Sequence, residues 1–266
     1  MIEDLSRLKQ RRWGETQRKD NWWLTPLVVF IALSSFIVYA TWAALQNAHY
    51  TFGNYLSPFY SPVLFGDSPE AWFGPKPAWW PGWIPFSPAL FILPFPAGFR
   101  LTCYYYRGAY YKAFWQDPPS CSVGEPRKGY LGENWLPLIL QNLHRYFLYF
   151  AMLFILFLAH DAWKAMWFEK TDGGQQFGIG VGTIVLTVNV ILLGGYTFGC
   201  HSLRHLVGGY LNQFSKAPIR AKCHQCVSCL NQKHMAWAWC SLVWVAFSDL
   251  YVRLCSTNIW TDFRIF

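Results

Sequence analysis

The sequence predicts an all-α membrane protein, a bundle of five transmembrane helices with its amino terminus in the cytoplasm. Three observations carry this. The 266 residues are 53% hydrophobic and only 14% charged, against about 25% charged in a soluble domain. Aromatic residues make up 20% of the chain, with 16 Trp and 15 Tyr, more than core packing needs and of the kind that collects at the headgroup level of a bilayer. The basic residues behind the net charge of +8 lie in short segments between apolar runs. That spacing argues against a nucleic-acid face and fits the positive-inside bias of cytoplasmic loops.

The elements follow in order. Residues 1–20 carry Arg7, Lys9, Arg11, Arg12, Arg18 and Lys19 and read as a polar cytoplasmic segment. A first span runs over 22–45, long enough to cross roughly 30 Å of hydrocarbon, and lacks the layout of a cleaved signal peptide, so it should be retained. Residues 46–85 contain seven prolines among aromatics, which predicts an irregular loop on the outer surface. The second span, 86–107, should kink at Pro94 and Pro96 and project into the cytoplasm. After a cytoplasmic loop holding Cys121, the third span covers 136–159. The fourth covers 178–200 and is expected to continue as helix through His205 to Gly208-Gly209. A basic cytoplasmic loop, 212–233, precedes the fifth span at 234–254. The whole chain reads as one domain.

Ionisable groups at membrane depth are costly unless they face a packed interior. Depth sorts them into two layers. The inner one gathers Arg100 and Cys103, His144 and Arg145, Cys200, His201, Arg204 and His205, and His234 and Cys240 from four helices. His201 and His205 stand at i, i+4, on one helix face. The outer layer holds His49, His160, Asp161, Lys164, Asp249, Tyr251 and Arg253, and reads as interfacial ion pairing rather than as a second quinone or proton site.

Eight cysteines would suggest disulfides in a secreted protein, but seven fall in or near the cytoplasmic half here, where thiols stay reduced or bind metal. Cys223-x-x-Cys226-x-x-Cys229 looks like half of a zinc or iron–sulfur site. Cys103 and Cys121 flank the extension of the second span and could fold beside the histidines. Thiolates with imidazoles form the donor set of a Rieske-type [2Fe–2S] centre. A bis-histidine b haem on His144 with His201 or His205 is the alternative, and the residues alone do not choose. A metal or proton transporter or sensor using the histidines is a rival reading, though paired repeat halves are missing. A zinc-binding scaffold is a third.

Several stretches resemble one family. Ser202-Leu203-Arg204-His205-Leu206 is similar to the Gly-Ile-Arg-His-Leu stretch of succinate dehydrogenase cytochrome b anchors. Thr102 to Arg107, Asn142 to Arg145, Cys200 to His205 and Ser248 to Arg253 resemble the single-chain anchors of succinate:menaquinone reductases, the mycobacterial type 1 anchor above all. The resemblance implies a multi-pass subunit of the bacterial plasma membrane that docks the iron–sulfur and flavoprotein subunits of the complex and passes electrons to menaquinone. It also implies a membrane-embedded Rieske-type cluster where relatives hold haem, with ligands drawn from Cys103, Cys121, His144, His201, His205 and His234. Arg145, Arg204 and Asn231 are the candidates to bond the quinone carbonyls. Two haems of the usual kind are excluded, because the first span offers only His49 and the second no histidine. No Gly-x-Gly-x-x-Gly turn marks a flavin or dinucleotide site, so dehydrogenation itself belongs to partner subunits, in a complex expected to form higher oligomers.

Overall fold

The computed structural model describes residues 19–115, 134–136, 138–170 and 172–266. Nearly all of the basic amino-terminal segment, and Cys121, lie outside the described residues. Helix α1 (Leu24–Gln46) is one apolar run. Its Pro26 falls in the first turn, where backbone N–H groups have no intrahelical partner anyway. The chain then turns through a small antiparallel hairpin, β1 (Thr51–Phe52) with β2 (Tyr55–Leu56), and an irregular segment extends to residue 88.

The continuous second span expected over 86–107 is instead three pieces: α2 (Ala89–Ile92), α3 (Pro94–Leu101) and α4 (Tyr104–Phe114). Pro94 lacks the N–H that would continue α2, and Cys103 takes an extended N-cap conformation, φ −64° and ψ 129°, that ends α3 and starts α4. A 3-10 turn, Leu138–Leu143, leads into α5 (His144–Lys164). A second hairpin, β3 (Trp167–Glu169) with β4 (Gln175–Phe177), turns at Gly173, whose φ of +80° favours glycine.

Helix α6 (Val181–Phe198) stops at Gly199, and α7 (His201–Gly208) begins again behind Cys200, so the single long helix expected through His205 is broken. Glycine suits the break, since a Cβ on Gly199 would meet the Gly195 oxygen at 2.6 Å. Helix α7 ends at Gly209, as its glycine pair predicts. The expected loop 212–233 is largely helix α8 (Pro218–Gln232). Pro218 opens it at a position that suits proline, and no glycine interrupts residues 210–232. Helix α9 (His234–Ser256) completes the chain, close to its predicted bounds.

Among the described residues, four helical runs are long and apolar enough to cross a membrane: Leu24–Gln46, Leu138–Lys164, Val181–Phe198 and His234–Ser256. The apolar stretch Ala89–Leu101 is shorter, about 20 Å at 1.5 Å per residue.

The chain separates into two compact units. One comprises the described residues up to Ser35 and those of Leu101–Leu143; in it the Phe30 and Phe114 rings lie 4.8 Å apart and Tyr110 donates to the Leu101 carbonyl. The other, Phe36–Arg100 with His144–Phe266, holds the main core. There α9 packs on α6, and α6 on α5. Helices α6 and α9 are antiparallel, since the Trp244 indole donates to Val185 O at 3.0 Å while Trp237 lies against Gly195. The starts of α5 and α9 and the end of α6 therefore share one end of this unit, the histidine end. The opposite end is the aspartate end.

The segment after β2 is not a surface loop throughout. Leu56, Phe59, Tyr60 and Val63 are buried with Ala43, Ala44, Ala89 and Val245. Carboxylates tie it down. Asp249, fully buried, accepts from Tyr39 Oη at 2.6 Å, from Ser57 Oγ and from Arg253 Nε at 2.7 Å. Arg253 also donates to Ala43 O in the last turn of α1 and to Ala48 O just beyond it, each at 2.9 Å. Asp161 accepts from Ser61, Asp262 from Tyr55 and Tyr251, and Lys164 pairs with Glu70 at 2.6 Å.

Candidate functional site

At the histidine end the side chains are of another kind. His144, the first residue of α5, is 7% exposed, and its ring stacks on Phe99 with centroids 4.5 Å apart and 6° between planes. Its Nε2 lies 3.0 Å from the Sγ of Cys200, which is fully buried. The same sulfur accepts from Ser202 N at 3.3 Å as the N-cap of α7, so the break between α6 and α7 is what presents the thiol to the imidazole. His234, at the start of α9, stacks on Tyr196 with centroids 5.0 Å apart and 18° between planes. His201 and His234 both lie within electrostatic reach of His144.

His201 and His205 meet as their i, i+4 spacing predicts, Nε2 to Nε2 at 2.9 Å, but both are exposed on α7. Partial desolvation, then the nearby His205 and Arg204, hold the His201 imidazole below its usual range. Cys103 is buried, 3% exposed, in the other unit.

The quinone candidates are engaged locally. Asn231 Nδ2 donates to Gly199 O at 2.8 Å, joining α8 to the end of α6. Arg204 Nε donates to Ser228 Oγ at 2.9 Å. Arg145 is exposed and stands 5.5 Å from the centroid of the Tyr146 ring. Cys223, Cys226 and Cys229 are exposed on α8; at i, i+3 and i+6 their sulfurs fan over about a third of the helix circumference rather than wrapping one point. Helix α8 packs closely on α7, where a Cβ on Gly208 would meet the His224 ring at 2.6 Å.

Two features of the site go beyond the inner layer read from the sequence, the first being what its Arg100 bonds to. Arg100, in the last turn of α3, reaches α9, where it donates to Ala238 O at 3.2 Å and Ser241 Oγ at 2.8 Å. The other feature is a lack of acid: no Asp or Glu occurs between Asp172 and Asp249, a signal that was legible in the sequence. Among the described residues, no group of three His, Cys, Asp or Glu side chains is gathered closely enough to hold a metal ion. The donor chemistry nevertheless fits a soft metal. An imidazole nitrogen and a buried thiol face each other there, both donor types that soft metals take.

The sequence model of the actinobacterial succinate dehydrogenase subunit SdhC matches residues 24–258. The chain belongs to that family. It also resembles a chain of the Mycobacterium smegmatis Sdh1 complex in the apo form, with 42% identity, a TM-score of 0.83 and 97% of each chain covered. No curated protein matches. The chain is thus a membrane anchor subunit of a bacterial succinate dehydrogenase, an oxidoreductase of the respiratory chain, and its partners are the other subunits of that complex. Membership sets aside the transporter, sensor and scaffold readings.

Proposed function

We propose that this anchor carries electrons from the iron–sulfur subunit to menaquinone, with a Rieske-type [2Fe–2S] centre as its cofactor at the histidine end. A centre of that kind supplies one-electron transfer. The observation that carries the reading is the Cys200 sulfur set against His144 Nε2. It supports a mixed thiolate and imidazole donor set over the bis-imidazole set of haem b, since the ring atom that a haem iron needs faces sulfur. His144, Cys200 and His234 are the donors that burial and position favour. Phe99 and Tyr196 fix the two imidazole planes by stacking and keep water from them. The exposed His201 and His205 stand between this layer and the aqueous side and can relay protons toward a quinone.

The histidine end faces the cytoplasm in this reading. Lys216, Arg220, Lys222 and Lys233 lie in or beside α8, as the positive-inside bias asks. The broken α2 to α4 stretch is then the fifth crossing, and the amino terminus is cytoplasmic.

Metal analysis, absorption and low-temperature EPR of the purified complex test the proposal. It expects iron in excess of the soluble subunits' content and a reduced signal with the low average g of histidine-ligated clusters. His144→Ala and Cys200→Ser each remove that signal. A Soret band with b-type α peaks would replace the cluster by haem, and a complex whose only iron is in the soluble subunits would sink both.

A further inference from the structure

We propose that the cleft at the aspartate end of α5 is a phospholipid site, taking the headgroup phosphate among its N–H donors and an acyl chain along the exposed face of α5. The inference is independent of the redox centre and of which side of the membrane this end faces.

The headgroup part is a cavity of about 350 Å3 lined by Asn54, His160, Trp163, Lys164, Trp167 and Gln175, within the size range of small-molecule sites. The Asn54 amide donates to Trp167 O and so joins the first hairpin to the second across it. Every lining residue carries a side-chain N–H, and none is an acid. The free oxygens of a phosphodiester are acceptors only, so this lining matches them. Lys164 gives one of its three N–H donors to Glu70 at 2.6 Å, which leaves two for a ligand.

Two effects oppose an anion here. Glu70 and Asp161 stand beside the cleft, but each already accepts from a donor, Lys164 and Ser61. The carboxyl end of a helix repels negative charge, but Ala165 N and Met166 N already bond the Asp161 and Trp163 carbonyls at 2.9 and 3.1 Å. The attraction is therefore one of directed donors more than of net charge.

The chain part follows from helix geometry. Leu153, Leu156, His160 and Trp163 stand at i, i+3, i+7 and i+10, which makes them one stripe of α5. Leu153, Leu156 and Trp163 are 45%, 65% and 56% exposed. From Trp163 down to Leu153 is about 15 Å, half of a hydrocarbon core about 30 Å thick. Trp72, its ring 5.2 Å from that of Phe157, walls the stripe on one side. Trp163 and Trp167, 5.9 Å apart, sit where the span ends at Lys164, the level at which indoles collect. A donor-lined cleft above an apolar track one leaflet long has the shape of a phospholipid rather than of a soluble anion.

Native mass spectrometry of the whole complex, stripped in detergent and titrated with dioleoylphosphatidylglycerol, whose one charge is its phosphate, tests this. The double variant His160→Leu with Gln175→Leu should bind the tightest of these lipids about tenfold more weakly than the wild type, since two donors to a charged group are lost. Succinate oxidation by a water-soluble dye should not change. Dioleoylglycerol, which has the chains without the phosphate, and inorganic phosphate, which has no chains, should not displace the lipid. Equal affinity in wild type and double variant overturns the proposal, as does displacement by dioleoylglycerol. Displacement by inorganic phosphate would make the cleft a free-anion site, and retention of menaquinone in place of phospholipid a quinone site; either overturns it. A variant with unchanged lipid content but fewer complexes per particle would mean that a second copy of this chain covers the stripe, which overturns it too. If the double variant does not assemble, Gln175→Leu alone, on the exposed β4, should weaken binding about threefold; an unchanged affinity there overturns the proposal equally.

Discussion

The two ends of the larger unit solve the same problem, polar groups at the end of a membrane span, with opposite chemistry. At the aspartate end every buried charge faces an opposite charge or hydroxyl donors: Asp249 takes Tyr39, Ser57 and Arg253, and Asp262 takes Tyr55 and Tyr251. At the histidine end imidazoles meet a thiol, a phenol ring or each other, and no acid occurs anywhere between Asp172 and Asp249. A closed ionic network has its bonding complete, so it serves structure. Imidazoles and thiols are softer donors than carboxylates, and that difference in chemistry is what distinguishes the two ends.

The largest expected effect breaks the histidine end alone. Under the proposed function, His144→Ala should abolish quinone reduction while succinate oxidation by a water-soluble dye continues, because the proposal leaves dehydrogenation to the partner subunits. Parallel loss of both activities would mean that His144 only supports assembly. The next effect belongs to the other end. Arg253→Met leaves Asp249, fully buried, without its cation, and should destabilise the anchor by about 3–5 kcal/mol, measured as loss of the folded complex on graded denaturation. The double variant Asp249→Leu with Arg253→Met should recover most of that. If the single change costs no more than the double, the ion pair is not what holds the end of α1.

How much of this was legible follows the same division. Periodic apolar length located four spans, because hydrocarbon thickness imposes it. The i, i+4 pairing of His201 with His205 and of Asp249 with Arg253 could be read from spacing. Exposure could not. His201 and His205, which look strongest in sequence, are exposed on α7, whereas Cys200 is buried because a helix break turns its sulfur inward as an N-cap. At that break a side chain on residue 199 would also run into the Leu230 carbonyl of α8, a tertiary constraint invisible in local pattern. The α8 helix escaped for a different reason: cysteines at Cys-x-x-Cys spacing suggest a metal loop, and only the opening Pro218 and the absence of glycine argued for helix. The buried stretch around Tyr60 was hidden by its prolines, which forbid regular structure but not burial.

A third prediction tests whether the histidine end depends on close packing. A Cβ on Gly195 would meet the Trp237 ring at 2.6 Å, so Gly195→Ala should cost about 1–3 kcal/mol as overpacking. It should also disturb the signal of the proposed cluster, because Trp237 follows His234 by one turn. The matching intrusion at the aspartate end, Gly182→Ala against the Tyr55 ring, should destabilise without touching that signal. Equal spectroscopic effects from both would show that the two ends are coupled through α6.

The smallest effect sharpens what makes the aspartate network strong. Lys164 and Glu70 pair at 2.6 Å, shorter than Arg253 with Asp249, yet their side chains are 39% and 31% exposed. Water screens such a pair, and its contribution should be no more than about 1 kcal/mol. Lys164→Met should therefore leave the denaturation profile nearly unchanged. If it instead costs as much as Arg253→Met, burial is not what sets the strength of these pairs, and the contrast between the two ends would rest on charge alone.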